Sequence, residues 1–171
     1  MELLRTLENG AYKWMDRNTN HLIRLSLAIV YGWFGALKFI DMSPAAPLLK
    51  ELEPWLPIPY FPMILATWEV TIALCILIPK WNRTGLILIA LHMPGTILPF
   101  LLTPSVVFTS APYGLTLEGQ YIVKNLLLVA SAMVLAGSIA RQRPALEEAR
   151  TAPLYPAEEH RHSEHLGYQA A

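Results

Sequence analysis

The sequence predicts an all-α fold: an integral membrane four-helix bundle with both termini in the cytoplasm. Three observations lead there. Four apolar runs, at about residues 22–40, 61–79, 84–102 and 119–139, have the length of a membrane span. At 1.5 Å per residue, nineteen helical residues cover about 29 Å, close to a hydrocarbon core of roughly 30 Å. Composition agrees, with 54% hydrophobic and only 15% charged residues, where soluble domains carry about 25% charged. The third observation is the placement of basic residues. With four spans, the amino end, the 80–83 connector and the carboxy end share one side, which holds Arg5, Lys13, Arg17, Lys80, Arg83, Arg141, Arg143 and Arg150. The opposite loops hold only Lys50. The excess of positive charge places the first side in the cytoplasm.

The same numbers exclude several classes. A chain of 171 residues with 13 basic and 13 acidic side chains fits one domain and has no basic excess for nucleic acid. Its single cysteine, Cys75, lies in an apolar run, so no intramolecular disulfide, Cys-x-x-Cys pair or thiolate metal cluster can form. The start, M-E-L-L-R-T-L-E-N-G, lacks the order of a cleavable signal peptide. No phosphate loop, dinucleotide fingerprint or H-E-x-x-H is present, and no nucleophile stands with a base. A self-contained hydrolase or dehydrogenase is disfavoured; no catalytic residue and no metal site is assigned.

Residues 3–17 alternate Leu4, Leu7, Ala11 and Trp14 with Arg5, Glu8, Lys13, Asp16 and Arg17. The spacing predicts a short helix lying in the membrane plane, with Tyr12 and Trp14 at headgroup depth, or else a frayed tail. The first span follows a polar D-R-N-T-N-H stretch and carries Arg24 and Lys38 near its ends, where both can snorkel. Ala28, Gly32 and Ala36 recur at intervals of four, with Gly35 on a neighbouring face, a stripe suited to close helix packing. The loop 41–60 holds five of the fourteen prolines, so its L-L-K-E-L-E portion has room for only a turn or two of helix. The second span, F-P-M-I-L-A-T-W-E-V-T-I-A-L-C-I-L-I-P, places Glu69 near its middle. The third carries His92, and its Pro94 and Pro99 predict a bend with freed carbonyls at Ala90 and Gly95. Residues 103–117 are too broken to span and unusually apolar for a loop; they rest on the bundle's end, dip into the interface, or meet a partner. The fourth span has Lys124 and Asn125 in its first turns, after Glu118 and Gln120. The bundle domain is 1–144. A polar cytoplasmic tail, 145–171, includes H-R-H-S-E-H, which is either a solvated segment or a weak metal binder.

Topology then collects polar residues that are distant in the chain. Glu69 lies eight residues into its span, about 12 Å below the outer boundary. Lys38 and Lys124 lie near the outer ends of the first and fourth spans, and His92 approaches from the inner side. A carboxylate in hydrocarbon needs a partner, so an ion pair of Glu69 with Lys124 or Lys38 is expected. Three roles stay open for it: polar glue between helices, an outer-half pocket for a quinone-like or other small ligand or for a proton, and a contact with a partner subunit. Glu118, Gln120 and Asn125 are secondary polar candidates. His92 reads as a helix-to-helix contact or a neighbour of Glu69 rather than a haem ligand, because His21 is at the wrong depth to supply the second.

R-L-S-L-A-I-V-Y-G-W-F-G-A-L-K-F at 24–39, W-E-V-T-I-A-L at 68–74, G-L-I-L-I-A-L-H at 85–92 and G-Q-Y-I-V-K-N-L at 119–126 together resemble the DoxX/DoxD-like family of small bacterial membrane proteins, in particular its YkgB-type branch. The resemblance covers about 22–139 and implies a four-helix inner-membrane protein whose recurring polar positions are Lys38, Glu69 and Lys124. It also implies a link to quinone-coupled oxidation as a membrane subunit, or to thiol-stress complexes; the lack of a cysteine pair disfavours a thiol-active role.

The expected function is therefore a small membrane subunit of a redox or quinone-linked system, with an outer polar pocket and a docking surface for a membrane or periplasmic protein or a second copy. No intrinsic cofactor is assigned, and quinone is the candidate ligand. The alternatives are a small-solute or proton-linked transporter acting as an oligomer, and a structural accessory subunit of a respiratory or photosynthetic complex.

Overall fold

The computed structural model describes residues 1–151. Six helices and one small hairpin follow in order: α1 Glu2–Phe39, α2 Ala46–Leu52, α3 Phe61–Leu77, α4 Asn82–Leu102, α5 Pro104–Val107, β1 Phe108–Ser110, β2 Gly114–Leu115 and α6 Leu117–Thr151. The chain divides into two units, Met1–Ser138 and Ile139–Ala171; the helix pairings and polar sites described below belong to the first. α1, α4 with the turn before it, and α6 are long and apolar enough to cross a membrane, and α3 is a shorter apolar helix of 17 residues, about 25 Å. This is compatible with an all-α membrane bundle. Large apolar side chains face outward on these helices, including Trp33 at 67% exposure, Leu91 at 63% and Leu126 at 71%. Outward-facing apolar side chains are expected where the surrounding medium is hydrocarbon.

α3 lies between α1 and α4. Against α1 it sets Glu69 and Val70 beside Gly35, and Ala73 beside Gly32. Ascending numbers on one helix meet descending numbers on the other, so the two run antiparallel. Gly35 is what lets them approach: a Cβ there would stand 3.0 Å from both Glu69 Cβ and Val70 Cγ2. On the other flank, Trp68 Nε1 donates to the Leu88 carbonyl of α4 at 3.2 Å. The buried α1 positions are Leu27, Ala28, Tyr31, Gly35 and Lys38, steps of three and four that keep one face of a 3.6-residue helix. The stripe expected at intervals of four drifts off that face. Ala36, eight residues beyond Ala28, is turned about 80° round the helix and is exposed.

The amino-terminal segment also departs from expectation. The helix runs unbroken from Glu2 through Asp16–His21 into the apolar span, so residues 3–17 continue the rod rather than form a separate element. Within the helix the Asn18 and Thr19 side chains donate back to the Trp14 and Met15 carbonyls, at 2.7 and 2.6 Å, so their polar groups are satisfied without water. α4 contains Pro94 and Pro99 within one helix. α6 extends beyond the span expected to end at 139, through Pro144 to Thr151. The rest of the tail, with the histidines of H-R-H-S-E-H, lies outside the described residues.

The two loops at the α3 amino end form a cap. Leu48 of α2, Val107 of α5 and Ile122 of α6 make its core, with Phe100, Val106, Phe108 and Leu115 packed around them. The segment 103–117 thus rests on the end of the bundle. Thr116 fastens it: its hydroxyl donates to the Val106 carbonyl at 2.6 Å and accepts from Gly119 N at 3.0 Å, capping α6. Gly119 backs directly onto the Val107 carbonyl, where any Cβ would collide.

Candidate functional site

Lys38 ends the buried face of α1. Its ammonium donates to the Phe34 carbonyl in the last turn at 3.3 Å and to Glu69 Oε2 at 2.5 Å. A cation is favourable at a helix carboxy end, where carbonyls are unpaired. Glu69 sits midway along α3, and both partners are buried, at 5% and 8% exposure. His92 of α4 brings Nε2 to 3.6 Å from Glu69 Oε1, a close polar approach but longer than a hydrogen bond. Tyr31, one and two turns below Gly35 and Lys38 on the same face, stands edge-on to the His92 ring with centroids 5.8 Å apart. Its hydroxyl is buried without a hydrogen-bond partner among the described residues. Three helices thus contribute a cation, a carboxylate, an imidazole and a phenol to one interior string, which can donate and accept hydrogen bonds and exchange a proton.

The string does not end in closed packing. Lys38 is also part of the wall of a cavity of about 480 Å³ at the α1 carboxy end. Two left-handed residues shape it: Asp41, φ 54°, turns the chain out of α1, and Tyr60, φ 59°, turns it into α3. That conformation is uncommon for residues with a side chain. Leu49, Leu56, Ile58 and Phe61 give apolar walls, while Asp41, Lys50 and Glu53 carry the charge. The volume lies within the range of small-molecule sites, about 300–1,000 Å³. Comparison with family models, with curated proteins and with solved structures finds no match.

The other residues singled out in the sequence lie elsewhere. Lys124 is on the exposed face of α6, its ammonium 5.5 Å from the ring centroid of Tyr121 one turn away. It is not the partner of Glu69, because its position round the helix turns it aside. Glu118 and Asn125 are half-buried and Gln120 is exposed, and among the described residues none of the three bonds to the string. Cys75 is buried and free. Among the described residues no three His, Cys, Asp or Glu side chains come together to hold a metal.

A second polar link went unanticipated. Asn82, 4% exposed, is the first residue of α4. With its amide nitrogen turned to donate to the Ile76 carbonyl at 2.9 Å, its oxygen accepts from Arg24 Nη2 at 2.9 Å. Arg24 therefore does more than snorkel: through Asn82 it joins α1 to the carboxy end of α3. In the sequence Asn82 lay within a basic connector, K-W-N-R, where nothing marks a side chain as buried. Tyr31 and the cavity were missed too. Tyr31 carries a usable signal, because positions 31, 35 and 38 share a helix face. The cavity arises from a proline-rich loop whose path the sequence does not specify.

Proposed function

We propose that this chain is a small membrane subunit of a redox or quinone-linked system, receiving a small ring-sized ligand in the cavity over Lys38. In this reading the termini are cytoplasmic in a bacterial inner membrane and the cavity opens to the outer half. The cap formed by α2, α5 and the hairpin offers its outer surface to a membrane or periplasmic partner. The resemblance to DoxX/DoxD-like proteins belongs to the same proposal.

One observation carries the reading: Lys38 belongs both to the cavity wall and to the buried pair with Glu69. A lock between α1 and α3 would account for an ion pair. It would not need an open cavity of about 480 Å³ with the same residue in its wall. The chemistry of the string suits a ligand that is hydrogen-bonded and exchanges protons as it is reduced or oxidised, with Lys38 as donor and Glu69 and His92 behind it as proton-carrying groups. Native purification in mild detergent, with identification of bound subunits, quinones and pigments, tests this. The expected result is a small ring compound that is retained by the natural chain and lost on Lys38→Met. A chain that carries nothing, alone and with its partners, would leave only the scaffold role.

A further inference from the structure

The charge arrangement around the cavity narrows what it accepts. Lys38 has three N–H donors, and among the described residues two are used, by the Phe34 carbonyl and Glu69. Its positive charge is not equally free, because the Glu69 carboxylate is 2.5 Å away and similarly buried. Lys50 is the other cation of the wall, and Asp41 and Glu53 also line it. Counting Glu69, which pairs with Lys38 but is not itself in the wall, the wall and its buried pair hold two cationic and three acidic side chains. An anion entering to the depth of Lys38 would therefore leave water without meeting an unmatched cation, which is unfavourable. An uncharged acceptor loses far less on entry and still takes a charge-assisted hydrogen bond. Leu49, Leu56, Ile58 and Phe61 supply apolar surface for the rest of such a molecule.

We propose that the cavity over Lys38 selects an uncharged, ring-bearing carbonyl compound, whose oxygen accepts from Lys38, and rejects a carboxylate of the same size. The inference rests on the ligand-binding reading above and adds its chemical selectivity. Glu69 is then a positioning residue: it holds the ammonium and cancels its charge without touching the ligand.

The test uses the full chain in lipid discs and two probes of equal heavy-atom count, 2-acetylnaphthalene and 2-naphthoate. Equilibrium dialysis is corrected for empty discs and for discs holding the Lys38→Met chain. The natural chain is expected to bind the ketone at least about tenfold more tightly than the carboxylate. Glu69→Gln, which keeps an acceptor for Lys38 but removes the negative charge, is expected to reverse that order. Equal or tighter binding of the carboxylate by the natural chain overturns the selectivity and leaves the cavity a ligand site. Binding of neither probe overturns both. The natural-chain comparison is decisive even if Glu69→Gln fails to fold.

Discussion

Replacing Lys38 with methionine removes the ammonium and keeps most of the side-chain volume. Glu69 is then left at 8% exposure, with His92 Nε2 at 3.6 Å. Breaking a buried pair by deleting one member typically destabilises by about 3–5 kcal/mol, because the other charge stays buried. Here the lower end, about 3 kcal/mol, is expected, since a small shift would let His92 hydrogen-bond the carboxyl. The matching double variant, Lys38→Met with Glu69→Met, should recover to within about 1 kcal/mol of the natural chain, because both buried charges are gone. Reversible denaturant unfolding in detergent micelles, followed by circular dichroism, measures all four corners of this cycle. A single variant that loses less than about 1 kcal/mol, or a double variant that loses the sum of the singles, would refute the coupling.

Three further outcomes follow from the packing. Gly35→Ala should destabilise by about 1–3 kcal/mol, since its Cβ meets Glu69 and Val70 at 3.0 Å, whereas Gly32→Ala, with one contact at 3.3 Å, should lose less; thermal unfolding of the pair checks the order. Asn82→Ala should lose about 1–3 kcal/mol by leaving the Ile76 carbonyl and the Arg24 guanidinium without their amide partner, measurable in the same unfolding assay. Lys124→Met should change stability by no more than about 0.5 kcal/mol and leave ligand retention intact, because its contact is an exposed one with Tyr121.

The helices were legible because bilayer thickness sets a length that apolar runs must match, and few charges interrupt them. That the second apolar run carries an anomalous acid was equally plain. Which basic residue meets it was not. In the expected topology, loop charge and span count make Lys38 and Lys124 equivalent partners. What separates them is rotation about the helix axis, set by Gly35 packing on Glu69 and by the Tyr121 face of α6. The stripe on α1 failed in the same way, since intervals of four were followed where the contact follows 3.6. Polar residues interrupt the pattern after 3–17 and suggest a separate helix or a frayed tail there, yet Asn18 and Thr19 satisfy their side chains on the helix itself. The cavity depends on how the loop between α1 and α3 turns at Asp41 and Tyr60, residues that do not announce a left-handed conformation as glycine would.

The central claim is that one ammonium, that of Lys38, serves both the buried pair and the cavity. Solid-state nuclear magnetic resonance on membranes holding 15N-lysine and 13C-glutamate chain reads both at once. The account predicts dipolar coupling between Lys38 Nζ and the Glu69 carboxyl carbon, and a Lys38 Nζ resonance that shifts when 2-acetylnaphthalene is added while the coupling persists. A Lys38 nitrogen that is uncoupled from Glu69, or that stays unmoved at saturating ketone, would contradict it.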